Sequence, residues 1–228
     1  MIRTFQGLLL LSFCLISVWG CNAETKPQNQ ATASSTTATE NEVQSTLEVE
    51  PNPNFASLEG KGITLDLPKG FEGGDPRDDI EDIAQNLEGA GEKYQNLSEA
   101  LRASQKSVQL IAFDTENSQS GFVTNVNVTQ QPLPEDVEFD QLMDGVVSHL
   151  QELGYEIEEQ NAIAIHDQTT GQLVVNIQAG ETQISQLVYA IPNQDEFWLV
   201  TYSTPSNEFE QRREDFEQSI VTFSPLEP

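Results

Sequence analysis

The chain has 228 residues, 37% of them hydrophobic, enough to core one domain of roughly 150 to 200 residues with appendages. Its 37 acidic against 10 basic side chains leave a formal charge of −27, a field that repels phosphate backbones and anionic lipid surfaces and argues against nucleic-acid binding. Cys14 and Cys21 are the two cysteines, so the body of the chain has no disulfide framework, cysteine zinc site or cysteine nucleophile.

Arg3 and the apolar run Gly7–Val18 read as a signal peptide over residues 1–20, too short for a membrane span. The run closes on Val18-Trp19-Gly20-Cys21, which resembles the lipobox of bacterial lipoproteins, with Trp19 where a small residue is usual. The resemblance implies cleavage before Cys21 and lipid attachment to it. The alternative is an ordinary cut after Ala23, which releases a soluble secreted protein. Residues 21–55 read as the anchor cysteine and a tether rich in Ser, Thr, Ala, Asn, Gln and Glu. Such a stretch cannot bury enough surface to offset its ordering entropy, and as a coil it reaches about 30 Å. The domain is expected over residues 56–228, after Pro51-Asn52-Pro53.

Within it, Gly62–Leu67 alternates as a strand and ends at the turn Pro68-Lys69-Gly70. Asp75 and Pro76 form an N-cap and N1 pair for a short helix carrying Ile80, Ile83, Ala84 and Leu87. After Gly89-Ala90-Gly91, a second helix over about Glu92–Ser104 aligns Tyr94, Leu97 and Leu101. Ser107–Phe113 and Gly121–Thr129 read as a hairpin with a long polar loop, the Asn125 and Asn127 face of the second strand meeting solvent or a cleft.

The longest amphipathic pattern follows Pro132 and Pro134. Val137, Phe139, Leu142, Met143, Val146, Val147 and Leu150 share one stripe, closed by Gly154. Gly145 within it costs roughly 1 kcal/mol against alanine, and a close approach to the sheet is the expected reason for it. Tyr155–His166 reads as a strand or bent pair, Asp167–Gly171 as a turn, and Leu173–Ile177 as a strand. Ile184–Ile191 and Phe197–Thr204 form a hairpin apolar on both faces, which belongs in the middle of a sheet. Ser206 or Asn207 is expected to cap a last helix with Phe209, Phe216 and Ile220 inward and Glu208 paired to Arg212.

Chemistry is sparse. His149 reads as outward on the long helix and His166 as a strand end beside Asp167, two distant histidines without ligand spacing. Neither Ser118-Gln119-Ser120-Gly121 nor Ser203-Thr204-Pro205-Ser206 has the glycines of a nucleophile elbow. Asp75, Asp78, Asp79, Glu81 and Asp82 offer oxygen ligands for a weak divalent cation, but they lack the spacing of a calcium loop, and acids at a helix N-terminus explain them at less cost. No cofactor and no catalytic residue is assigned.

The order of elements resembles the PsbP/Mog1/DcrB superfamily, an α+β fold built as an α/β/α sandwich around a central antiparallel sheet. The matching stretches are GITLDLPKGF (62–71), GFVTNVNV (121–128), LGYEI (153–157), QLVYAI (186–191), FWLVTYST (197–204) and FEQSIVTF (216–223). These are core and turn patterns, so they speak for the fold. The resemblance implies a non-enzymatic accessory or binding protein outside the cytoplasm, assisting an unknown protein partner at the membrane. A small-ligand or cation carrier, with a cleft near Asn125, Asn127 or the acid cluster, and a photosystem II assembly or accessory factor are the alternatives.

Overall fold

The computed structural model describes residues 52–77, 108–116, 122–133 and 136–226. In chain order they form β1 (Phe55–Gly60), β2 (Ile63–Pro68), β3 (Phe71–Gly74), β4 (Val108–Asp114), β5 (Asn125–Pro132), α1 (Phe139–Glu152), β6 (Glu156–Ile165), β7 (Gln168–Ala179), β8 (Thr182–Asn193), β9 (Glu196–Pro205), α2 (Phe209–Ile220) and β10 (Ser224–Pro225). The leader, Cys21, the tether up to residue 51 and the two helices expected between Ile80 and Ser104 lie outside the described residues.

Seven strands make one antiparallel sheet in the order β3-β4-β5-β9-β8-β7-β6, and β1-β2-β10 make a second, smaller sheet. The expected hairpin is β8 and β9, turning at Gln194-Asp195, and both strands are buried through most of their length. Strand alternation sorts their side chains onto two cores. Val188, Ala190, Phe197 and Leu199, with Leu173 and Val175 of β7, meet Leu142, Met143, Val146 and Leu150 of α1. Leu187, Tyr189, Ile191, Trp198, Val200 and Tyr202 face the other way, toward Ile63, Leu65 and Leu67 of β2 and Phe209, Phe216 and Ile220 of α2. A helix thus lies on either face of the sheet, which is the α+β sandwich architecture. Each fully buried aliphatic or aromatic side chain contributes about 1.5 to 3 kcal/mol, so the two cores outweigh the local costs along the chain.

α1 ends as its sequence requires. Gly154 takes φ +88°, the Tyr155 N–H reaches Leu150 O at 3.0 Å and the Gly154 N–H reaches Gln151 O at 3.0 Å, the paired bonds of a Schellman motif. Gly145 departs from expectation: a methyl group there would meet nothing within 4 Å, so no close approach explains it. The tight contact is on the sheet, at Gly171, where a Cβ would collide with Met143 Sδ. Gly145→Ala is therefore expected to stabilise the protein by about 0.5 to 1 kcal/mol, because it removes backbone entropy from the unfolded chain at no steric cost. An unchanged or lower urea midpoint for that variant would contradict it.

Four further differences have local causes. The turn expected at Asp167–Gly171 lies at His166-Asp167, with Ile165 paired to Gln168 and φ of 48° and 62° at the two turn residues, the pattern of a type I′ hairpin. Histidine and aspartate tolerate that region without glycine, and Gly171 belongs to β7, paired with Ala162 and Ala190, where Met143 fills the space a side chain would take. β6 is a single strand with a register shift between Ile157 and Glu159 rather than a bent pair. β5 starts at Asn125 and runs to Pro132, three residues beyond the expected end. α2 has Glu208 at its N-cap with no side-chain cap bond, since the Ser206 hydroxyl is taken by Ser185 at 2.8 Å. Its inward residues Phe209, Phe216 and Ile220 and the Glu208–Arg212 pair, at 3.2 Å, are as expected.

Candidate functional site

Among the described residues, the side chains singled out by sequence do not converge. His149 is half-buried rather than outward, its Nε2 shielded from solvent and without a hydrogen-bond partner. It sits three residues after Val146 and seven after Leu142, at the margin of the apolar stripe, and so is drawn against the sheet side. His166 is exposed, and its Nε2 lies 2.6 Å from Val221 O, a link between the β6–β7 turn and the end of α2. Asp75 is engaged by Arg77, whose backbone N–H and Nε each lie 2.9 Å from Oδ1. Asp78, Asp79, Glu81 and Asp82 lie outside the described residues. Asn127 is buried in β5 rather than facing solvent, and Asn125 donates to Val123 O at 2.9 Å. Among the described residues, no group of three or more His, Cys, Asp or Glu side chains is placed to hold a metal ion.

A cleft forms elsewhere. Its volume is about 350 Å³, and it is lined by Asn52, Asn54 and Phe55 at the start of β1, Pro68 and Lys69 after β2, Phe71, Asp114 at the end of β4, and Arg212, Asp215 and Phe216 of α2. Helical spacing places the last three on one face. Two backbone bonds hold the walls together: the Lys69 N–H donates to Asn54 O at 2.8 Å and the Thr115 N–H to Gly70 O at 3.1 Å.

The electrostatic centre of the cleft is the pair Arg212 Nη1 to Asp114 Oδ2, at 2.7 Å. The Asp114 side chain is 2% exposed and that of Arg212 16%. Arg212 Nε also donates to Glu208 Oε2 at 3.2 Å, and the Glu116 N–H reaches Asp114 Oδ1 at 3.2 Å. These groups balance one another. The Asp215 carboxyl is held above its ordinary value, first by burial and then by the neighbouring charge of Glu214, with Arg212 partly opposing both. Such a group favours either a proton or a cationic companion.

Several polar groups inside the sheet are matched locally, while Thr129 Oγ1, Gln186 Oε1 and Trp198 Nε1 are buried without a hydrogen-bond partner among the described residues. Gln186 donates to Ser203 Oγ at 2.9 Å, Gln172 donates to the Tyr189 hydroxyl at 3.2 Å, and the Tyr202 hydroxyl donates to Ser219 Oγ at 2.9 Å. Burial pushes the Tyr155, Tyr189 and Tyr202 hydroxyls above their ordinary values, so they act as neutral hydrogen-bonding groups. On the outer side of α2, Arg213 grips both oxygens of Glu159 at 2.9 and 2.8 Å and pins β6 to the helix, which holds the Glu159 carboxyl below its ordinary value.

Sequence reading missed the cleft because its residues come from four separate stretches of chain, none with a motif of its own. The only local signal was the Glu208–Arg212 spacing.

A seven-stranded antiparallel sheet with α1 on one face and α2 with a small sheet on the other is an α+β sandwich. One solved structure shares this fold. The solution structure of cyanobacterial PsbP (CyanoP) from Synechocystis sp. PCC 6803 superposes with a TM-score of 0.50 at 13% identity, covering 79% of this chain and 98% of that one. LpqN, described as involved in cell envelope biogenesis of Mycobacterium tuberculosis, gives a TM-score of 0.46 at 10% identity over 75% of this chain and 89% of its own. No protein-family model and no curated protein sequence matches. At 13% identity the likeness to cyanobacterial PsbP shows the fold alone. Among the described residues, no helix is long and apolar enough to cross a membrane.

Proposed function

We propose that this protein is a non-enzymatic accessory domain, carried outside the cytoplasm by a lipid on Cys21 and a flexible tether, that assists a protein partner at the membrane. The observation that carries the reading is the likeness to cyanobacterial PsbP, which extends over 98% of that chain. The Val18–Cys21 sequence and the polar stretch after it supply the anchor and the spacer. The cleft supports binding rather than turnover, because its buried pair ties Arg212 to Asp114 instead of presenting either to a nucleophile. A photosystem II accessory role is the narrower form of the same proposal.

Intact-mass measurement on protein taken from its native membrane tests the anchor: the chain from Cys21 should carry a diacylglycerol and an acyl group. Cross-linking in that membrane should then yield one stoichiometric protein partner, lost when Cys21→Ser releases the domain. An unmodified chain starting near Glu24, recovered from the soluble fraction, would overturn the anchored reading.

A further inference from the structure

The described arginines, Arg77, Arg212 and Arg213, are each ion-paired. The two described lysines, Lys61 and Lys69, are not, although the chain has 37 acidic residues to 10 basic ones, and of the two Lys69 lies at the cleft. Lys69 lines the cleft, and its ammonium has no hydrogen-bond or ion-pair partner among the described residues; the same holds for Asp215 and its carboxylate and for Asn54 and its side-chain amide. Asp114 and Arg212 neutralise each other. What remains for an occupant is one cation, one anion and an amide, against walls supplied by Phe55 and Phe71.

We propose that this cleft binds a small zwitterion of the amino-acid type, its carboxylate on Lys69 and Asn54 and its ammonium on Asp215. The charge balance decides the class. A ligand with only a negative charge is repelled by a molecule of net charge −27, and one with only a positive charge leaves Lys69 unmatched. A zwitterion satisfies both groups and crosses the field at no net cost. The volume of 350 Å³ falls within the range of roughly 300 to 1,000 Å³ usual for small-ligand sites. The raised Asp215 carboxyl is the group that gains from an ammonium beside it. This site goes beyond the tethered-accessory role and does not depend on the lipid anchor.

The experiment is calorimetric titration of the detergent-purified full chain with L-phenylalanine and with L-alanine. Phenylacetate and phenethylamine, which each keep one of the two charges, serve as comparators. At least one amino acid is expected to bind saturably, and the single-charge compounds to bind about tenfold or more weaker, the factor that one lost charge-assisted hydrogen bond supplies. Lys69→Ala and Asp215→Asn should each weaken the amino acid by a similar factor. Both positions are exposed, so both variants should keep the parent melting temperature. No saturable binding of either amino acid overturns the proposal, as do equal affinities for the comparators or unaltered affinity in Lys69→Ala. A failed titration with an intact anchor and partner cross-link would leave the accessory role standing.

Discussion

Arg212→Ala is expected to destabilise the protein by about 3 to 5 kcal/mol, the range for breaking a buried pair from one side. The reason is the asymmetry of burial: Asp114 keeps a side chain 2% exposed, and removing the guanidinium 2.7 Å away takes the ion pair from a charge that water reaches poorly. The Glu116 N–H at 3.2 Å offsets only part of that cost. The second partner of Arg212, Glu208, has a side chain 21% exposed, and Glu208→Ala should cost less than about 1 kcal/mol. Adding Asp114→Asn to Arg212→Ala should recover part of the loss, since the buried charge is then removed. Urea unfolding at neutral pH measures all three. A loss below about 1 kcal/mol for Arg212→Ala would mean that Asp114 is solvated or balanced by another group.

Tyr202→Ala should cost about 3 to 5 kcal/mol, and Tyr202→Phe only about 0.5 to 1.5 kcal/mol. Tyr202 lies in β9, the middle strand of the large sheet, and is fully buried. Its ring stacks on Phe216 of α2 with centroids 4.9 Å apart and meets the edge of Tyr189 at 6.2 Å. Removing the ring leaves a cavity at the point where sheet and helix join, and the aromatic pairing energy is lost with it. The hydroxyl is a smaller matter: it donates to Ser219 Oγ, which itself donates to Asp66 O at 2.6 Å. Phenylalanine keeps the ring and leaves the Ser219–Asp66 bond in place, so one acceptor goes unfilled. Equal losses in the two variants would show that the hydroxyl chain, not the ring, joins β2, α2 and β9.

Both variants probe parts of the molecule that differ in how well the sequence announced them. Tyr202 stood in a run, Phe197–Thr204, whose strand character and double-sided burial follow from composition and alternation alone. The α1 stripe and its Gly154 stop were legible for the same reason: side-chain periodicity is local, and both the stripe and the stop depend only on neighbours within two turns. β1 and β3 were not. Phe55–Gly60 has an irregular burial pattern, and its extended form comes from pairing with β2. Phe71–Gly74 does not read as a strand; it is extended because it pairs with β4, and position 73 is glycine because a Cβ there would collide with Ile111 O. The glycines of this protein were misread in pairs: Gly145 was assigned a close contact it lacks, and Gly171 a turn when it makes the contact.

Of the candidate site, almost nothing was visible in advance. Lys69 appeared as a turn residue, Asp114 as the start of a loop and Arg212 as half of a surface helix pair. The cleft exists because the start of β1, the ends of β2 and β4 and one face of α2 meet at one corner, where Asp114 and Arg212, 98 residues apart, pair.

By itself the sequence determined the order of the main strands and helices, the two-sided burial of β8 and β9, and the acidic field around the molecule. Each of these is set by local periodicity or by summed charge, which need no knowledge of distant neighbours. The tertiary structure alone decided strand order, the roles of Gly145 and Gly171, the burial of the Asp114 charge and the pairing that leaves Lys69 and Asp215 open. Those depend on which surfaces pack together, and a close-packed interior fixes that only when the whole chain is folded.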